Sequence, residues 1–439
     1  MSKALRLLRT FPLFIVAVGC SSSIVGESWP NQSWPALDAF TSGDFDSAAA
    51  EFSQLKGDGF SNELLALVEA GMARHTGGDL EGATEHWLEA ERVLENFKDR
   101  PTISGRTVGE TAASFAINDR ALPYDGEDFE IALLHAFLAW DFLRLGNLDS
   151  AMVEVRKGYE AEKRAEKRYE VQYPMNRFAK FISALTQEAD SDWDEAIIDW
   201  KDLAAEMPKN KTLSQCLQHA QRAQNGIAPQ ASIALIHEKG RMPQKVGLNI
   251  DYEANRSFGR IVAPAFGKPM PSPSRIELWV DGEPKGKTFV LEDVYKSAKE
   301  NLADRISWMA GKSAIRATIK TALIEEAAEN VEEEKGFWAG FGVGVLGSLL
   351  LYSTEQPDLR SWQTLPQQIQ ALRIAIEPGK RRLSIRFQSR GENHVLDLGE
   401  FEIPPGETLL LSARTLRKAA FGKAGKAPTV FMGPATLKP

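Results

Sequence analysis

Two hydrophobic periods divide the chain. From about residue 37 to 224, apolar positions recur at helical spacing, and a short polar hexamer returns four times: GDFDSA (43–48), GDLEGA (78–83), GNLDSA (146–151) and SDWDEA (191–196). From about residue 230 the pattern shortens to alternating or β-branched runs between turn residues. ASIALIHE, VGLNIDY, RIVAPAF, RIELWVDG and KTFVL read as strands. In QALRIAIEPGKRRLSIRF and LDLGEFEIPPGETLLLSAR, one strand meets Pro-Gly and a second returns, which predicts hairpins. The second half therefore reads as an antiparallel β-sandwich of about seven to nine strands. It is interrupted by a helical and Gly-rich insertion, 293–352. Val294, Leu302, Ile306, Met309, Ile315, Ile319, Leu323 and Val331 fall mostly at helical spacing there, with a bend at Gly311.

The hexamers carry more than recurrence. Their final alanines, Ala48, Ala83, Ala151 and Ala196, are 35, 68 and 45 residues apart. A period of about 34 is the signature of tetratricopeptide repeats, and 68 is two such periods. Gly43, Gly78 and Gly146 would close a first helix in a left-handed cap. Asp46, Glu81, Asp149 and Asp194 would favour the positive end of a second helix. Each alanine permits close approach of the two helices. Four residues on comes a large side chain: Phe52, Trp87, Val155 or Trp200. Gly71 and Ala139 supply a small residue twelve positions before the alanine, and Pro208 falls where such repeats carry proline. The expected class is α+β and multidomain: an all-α tetratricopeptide-like superhelix over 37–224, then the sandwich over 225–439 with a loose tail at 420–439. The doubled gap between the second and third hexamers, with Pro101, Gly105, Gly109, Pro123 and Gly126, predicts a long irregular insert.

The first residues bear on compartment. MSKALRLLRTFPLFIVAVGC has basic Lys3, Arg6 and Arg9, a short apolar run and small residues before Cys20, which reads as a secretory leader over 1–19. Ala17-Val18-Gly19-Cys20 resembles the bacterial lipobox, in which the cysteine is lipidated and becomes the new N-terminus. Ser21 in the next position implies sorting to the outer membrane. Residues 20–36, rich in Ser and Pro, read as a lipidated tether, and acyl chains on Cys20 would hold the protein at a bilayer without a spanning helix. Cys216 then has no partner, so stability rests on burial, within a composition that is 43% apolar. The formal net charge is −8, and loss of the leader's three cations makes it more negative still. That balance argues against a nucleic-acid partner.

The blocks NDRALPYDGEDFEIALLHAFLAWDFLRLGNLDSAMVEVRKG and STEQPDLRSWQTLPQQIQALRIAIEPGKRRLSIRF resemble a family of uncharacterised bacterial tetratricopeptide-repeat lipoproteins. Similarity concentrates at YDGEDFE, at Ala151-Met-Val153-Glu154-Val-Arg156 and at Asp358-Leu-Arg360-Ser-Trp362. The resemblance implies a periplasmic protein anchored in the outer membrane, often encoded near lipoprotein activators of penicillin-binding proteins. It implies architecture and compartment, not a reaction.

Motifs for chemistry are sparse. None of the six histidines, His75, His86, His135, His219, His237 and His394, has zinc-ligand spacing. Cys216 reads as a buried thiol, and there is no nucleophile elbow. Gly282-EPK-Gly286-Lys287-Thr288 is one residue short of a phosphate loop and reads as a hairpin tip. GFWAGFGVGVLGSLLLY (336–352) contains Gly342-x-Gly344-x-x-Gly347 but follows a charged helix rather than a strand, which excludes a dinucleotide loop. Its sixteen residues from 337 fall short of the ~20 a spanning helix needs, so it reads as close helical packing, within or between chains. No cofactor or metal is implied.

Two constellations are candidates for partner binding: Tyr124, Glu127, Glu130, His135, Glu154 and Arg156, and Asp358, Arg360 and Trp362. The first would line the groove of a repeat array; the second combines residues enriched at interfaces. The expectation is a non-enzymatic scaffold for envelope protein partners in envelope or cell-wall assembly. The alternatives are an envelope hydrolase using Glu127, Glu130 and Glu154, and a structural homo-oligomer or membrane-contact protein built on the Gly-rich stretch.

Overall fold

Each hexamer is the hinge of a helical pair. The computed structural model describes residues 29–57, 62–98, 123–254, 257–270, 275–309, 357–389, 392–416, 419–420, 423–424 and 429–437. Cys20, the insert from 99 to 122, and 310–356 with the Gly-rich stretch lie outside them. After a short helix α1 (Trp29–Gln32), the pairs are α2 (Trp34–Ser42) with α3 (Phe45–Gln54), α4 (Glu63–Gly77) with α5 (Leu80–Lys98), α6 (Asp128–Arg144) with α7 (Leu148–Tyr169), and α8 (Arg177–Ala189) with α9 (Trp193–Glu206); α10 (Lys211–Gln224) follows.

Gly43, Gly78, Gly146 and Ser191 occupy the left-handed region, at φ of 90°, 89°, 76° and 61°. In all four hinges the next residue's N–H reaches back to a carbonyl five residues earlier, as in Asp44 to Ala39 and Asp79 to Arg74 (both 3.0 Å), which closes the last helical turn. That next residue also caps the second helix. The carboxylates of Asp44, Asp79 and Asp192 and the amide oxygen of Asn147 accept from Ser47, Gly82, Glu195 and Ser150 N–H. One dipeptide thus ends one helix and starts the next. The sequence reading assigned the helix start to the dipole of Asp46, Glu81, Asp149 and Asp194; the capping bonds come from two positions earlier.

The four hexamer alanines are wholly buried, as are Phe52, Trp87, Val155 and Trp200. Gly71 shows why small residues are needed at these crossings: a Cβ there would overlap the Trp87 indole ring. Gly71→Ala is therefore expected to destabilise the fold by about 1–3 kcal/mol through overpacking. Urea unfolding followed by tryptophan fluorescence measures it, and an unchanged midpoint would mean the crossing is not tight.

The strands are β1 (Ser232–Lys239), β2 (Lys245–Ala254), β3 (Ser257–Phe266), β4 (Ile276–Val280), β5 (Glu283–Lys287), β6 (Phe289–Glu292), β7 (Gln368–Ala375), β8 (Gly379–Ser389), β9 (Glu392–Ile403), β10 (Thr408–Leu416), the two-residue β11 (Ala419–Ala420) and β12 (Lys423–Ala424), and β13 (Thr429–Leu437). Helix α11 (Val294–Met309) follows β6. A five-stranded sheet runs β13-β10-β1-β7-β6 and a four-stranded one β5-β4-β8-β9, while β2 pairs with β3 and β11 with β12.

Several expectations are corrected. The larger sheet is mixed rather than antiparallel, because β1 and β10 run parallel. The two Pro-Gly turns reverse the chain but make no hairpins: β7 and β8 lie in different sheets, and so do β9 and β10. Turn residues fix a reversal; burial decides the partners. β10 is buried along its whole length and β1 along all but its last residue, so each takes a partner on both edges. The Asp281-Gly282 hairpin of β4 and β5 forms as expected, with both residues at positive φ. The tether is shorter than 20–36, since Trp29 and Ser33 are already buried in helical structure. The tail is not loose, since β13 pairs with β10 over its full length.

The apolar cores do not divide at residue 224. Along β1, Ala234 and Ile236 join a cluster that includes Phe137, Phe181 and Trp200 of the helices and Ala298 and Leu302 of α11. Ile233 and Leu235 join a second cluster with Leu278, Ile385 and Leu411. The five-stranded sheet is thus covered by helices on one face and by the smaller sheet on the other. The helical and strand regions share a continuous core.

Candidate functional site

That shared core contains an unusual density of charge. The first helices of the pairs, α4, α6 and α8, turn acidic side chains toward the strands and toward the segment 357–367 that leads into β7. Glu69 on α4 accepts the backbone N–H groups of Gln363 (2.7 Å) and Thr364 (2.9 Å). Glu130 on α6 accepts the N–H of Trp362 and the hydroxyl of Tyr124, each at 2.7 Å. Three successive backbone donors thus end on two helical carboxylates. Trp362 is buried edge-to-face against Trp87, with ring centroids 6.3 Å apart. Arg360 is held by Asp358 through two nitrogens and lies over the Tyr124 ring.

Burial pushes the carboxyls of Glu69 and Glu130 up to about 7, only partly offset by their hydrogen bonds and, at Glu130, by Lys245. Burial acts on Glu127 in the same direction, but Lys245 and Arg305 overcome it and hold that carboxyl at about 2. Glu127 and Glu130 also form a capping box at the start of α6.

Deeper in, His75 on α4 bridges two carboxylates, with Nδ1 2.8 Å from Asp141 and Nε2 2.8 Å from Glu238. Glu238 further accepts from Arg414 at 2.9 Å and from the Ser412 hydroxyl at 3.0 Å. Arg414 also donates to the carbonyl of Thr364. At the other end, Arg373 of β7 makes a two-pronged bond to Glu188 of α8, at 2.7 and 2.6 Å, and Glu188 accepts from the Trp200 indole as well.

The candidate residues therefore separate. Tyr124, Glu127, Glu130, Asp358, Arg360 and Trp362 meet in one cluster, joining the two constellations the sequence held apart by over 200 residues. Their bonds go to this chain's own segment rather than to an open groove. His135 and Glu154 form a second place: His135 Nδ1 lies 2.8 Å from Glu154, beside Glu91. The ligand atoms of these three lie within 4.8 Å of one another, a spacing a metal could use. The ammonium of Lys157 already sits on both carboxylates, 2.5 Å from Glu91 and 2.9 Å from Glu154. Arg156 is exposed and joins neither place. Cys216 is buried, and burial lifts its thiol to about 12, which leaves it unreactive.

The sequence reading missed Glu69, His75, Asp141, Glu188, Glu238, Arg373 and Arg414. For Glu69, Asp141, Glu238, Arg373 and Arg414 the signal was a charge inside an apolar run: LLALVEAGM, LLHAFLAWDF, SIALIHE, ALRIA and LLLSAR. No helix among the described residues is long and apolar enough to cross a membrane. No protein-family model matches the chain, and no curated protein matches it.

Proposed function

We propose that this chain is a non-enzymatic scaffold, lipidated at Cys20 and held at the periplasmic face of the outer membrane, where it serves envelope or cell-wall assembly. In this reading the helix pairs are a tetratricopeptide-like array and the two sheets a β-sandwich, and the two act as one rigid body. The observation that carries it is the capture of three successive backbone N–H groups, those of Trp362, Gln363 and Thr364, by Glu69 and Glu130. Repeat arrays offer a concave surface for binding, and here residues 362–364 occupy the side formed by α4 and α6.

A protein partner then has the second helices available. Val153 and Arg156 on α7 and Ile198 on α9 are exposed there. The candidate carboxylates support the same reading. Glu127 and Glu130 have unequal environments, as an acid–base pair would, but both are buried and engaged by Lys245, Arg305, the Tyr124 hydroxyl and the Trp362 N–H, and Glu154 is engaged by His135 and Lys157, which ties all three to the fold. The experiment is photo-crosslinking in intact cells from a reactive residue at 153 or 198, followed by mass spectrometry, with Cys20→Ser as a parallel variant. An envelope protein captured from both positions is expected, together with release of the Cys20→Ser chain from the membrane fraction. Recovery of nothing above background from either position would sink the scaffold reading.

A further inference from the structure

A partly open cavity of about 70 Å³ lies where α6 and α7 meet the end of β6 and the start of α11. At ~10–15 Å³ for each water-sized occupant, it has room for a small ligand or the end of a side chain. Phe129, Leu133, Ala165, Pro174 and Val294 give it apolar walls.

The charged groups of the lining are one-sided. Asp128, Glu162, Glu292 and Glu300 contribute four carboxyls, and among the described residues no Lys, Arg or His lines the cavity. Two of the four have a cation as partner. Arg168 and the Tyr169 hydroxyl hold Asp128, while Glu292 pairs with the Arg177 guanidinium at 3.7 Å and accepts from the Arg177 backbone N–H at 3.2 Å and the Ser297 hydroxyl at 3.0 Å. Glu162 forms no ion pair among the described residues and accepts a hydrogen bond from the Asn176 side chain. Burial, with Glu292 nearby, lifts its carboxyl to about 7.

Asn301 supplies an independent sign. Its side chain is only 3% exposed and lines the cavity. The amide nitrogen donates to the Tyr173 hydroxyl at 3.2 Å, but Oδ1 has no hydrogen-bond partner. A buried acceptor left unsatisfied is costly, and such groups in native folds call for an explanation.

We propose that this cavity binds a primary ammonium carried on a short aliphatic stem, with the Glu162 carboxylate and Asn301 Oδ1 as its acceptors. An ammonium has three donors and no acceptor, which matches a lining whose own donors are already used: Asn176 on Glu162, Ser297 on Glu292, the Asn301 amide nitrogen on Tyr173 and Tyr173 on Asp304. The methylene stem packs on Leu133 and Val294. A hydrated divalent cation fits less well, because it needs about six or more oxygen ligands and the walls are largely apolar. The same head group occurs on free alkyl diamines and on lysine-type side chains, and the stem distinguishes them.

The test is isothermal titration calorimetry of the full chain with 1,5-diaminopentane, Nα-acetyl-lysine methylamide and 1-pentanol. At least one amine is expected to bind, the one with the greater affinity identifying the source, and the neutral alcohol is not. Glu162→Gln and Asn301→Leu, with melting temperatures close to the parent, should each weaken binding by about tenfold or more, the usual scale for a charge-assisted hydrogen bond. Absence of binding by both amines would overturn the proposal. So would equal affinity for pentanol, or amine affinity unchanged in both variants.

Discussion

Replacement of Arg414 by leucine is expected to destabilise the fold by about 3–5 kcal/mol, the cost of leaving a buried charge without its partner. Arg414 is only 2% exposed and serves two parts of the chain at once. One nitrogen neutralises Glu238 in β1, and another binds the carbonyl of Thr364 in the segment that lies against the helices. Leucine would leave both acceptors buried with less support, and the guanidinium's packing over Phe40 would also be lost. The effect should depend on the charge it exposes. Glu238→Gln in the same chain should return part of the loss, so that the double variant is more stable than the sum of the single changes by about 1 kcal/mol or more. Urea unfolding of the four proteins measures this. A loss below about 1 kcal/mol for Arg414→Leu would show that water reaches the seam and that the two regions are not locked together. Protease sensitivity between residues 224 and 232 should rise with the same ranking.

The seam also explains what the sequence could show and what it could not. The helical hinges were legible because capping is local: a left-handed residue and an Asp or Asn beside it act within a few positions. The same holds for Asp281-Gly282, whose turn geometry sets the β4–β5 pairing. The Pro-Gly turns after β7 and β9 misled for the complementary reason. A turn fixes chain direction, whereas strand pairing depends on which surfaces are buried, and that was decided by β1 between β7 and β10. Site residues followed the same division. Tyr124, Glu127 and Glu130 could be singled out as one group and Asp358, Arg360 and Trp362 as another, yet no spacing rule joins Glu130 to the backbone of Trp362. His75 lacked any motif because its partners come from α6 and β1. The charges inside apolar runs were nonetheless a physical clue. A carboxylate amid leucines is costly unless paired, so Glu69, Asp141 and Glu238 required basic or N–H partners from elsewhere. Reading those runs as halves of pairs would have predicted that the helices and strands share a core.

Stability should fall by about 3 kcal/mol between pH 6.5 and pH 9 through His75 alone. Burial disfavours its charged form, but Asp141 and Glu238 on either side outweigh burial and raise it from 6.5 to about 9. A group raised on folding contributes stability that is complete below its unfolded value and is lost as pH rises through its folded one. For a shift of this size the difference is about 3 kcal/mol, and loss of the proton leaves Asp141 and Glu238 facing a neutral ring. The acid side gives no comparable signal, because opposing groups overlap there. Glu69, Glu130 and Glu162, raised to about 7, lose stability as pH climbs from 4.5. His219 and His237, buried and lowered to about 4, lose stability as pH drops below 6.5. The carboxyls raised to about 7 also lose stability up to about pH 8, in the parent and in a His75 variant alike, so His75 is read from the difference between the two proteins. Urea midpoints measured from pH 6 to 9.5 should decline in both and fall more steeply in the parent than in His75→Gln, by about 3 kcal/mol over that range, and His75→Gln should already be weaker at pH 6.5. Equal slopes in the two proteins would mean that His75 is neutral at pH 7 and that Arg414, rather than His75, balances the charge of Glu238.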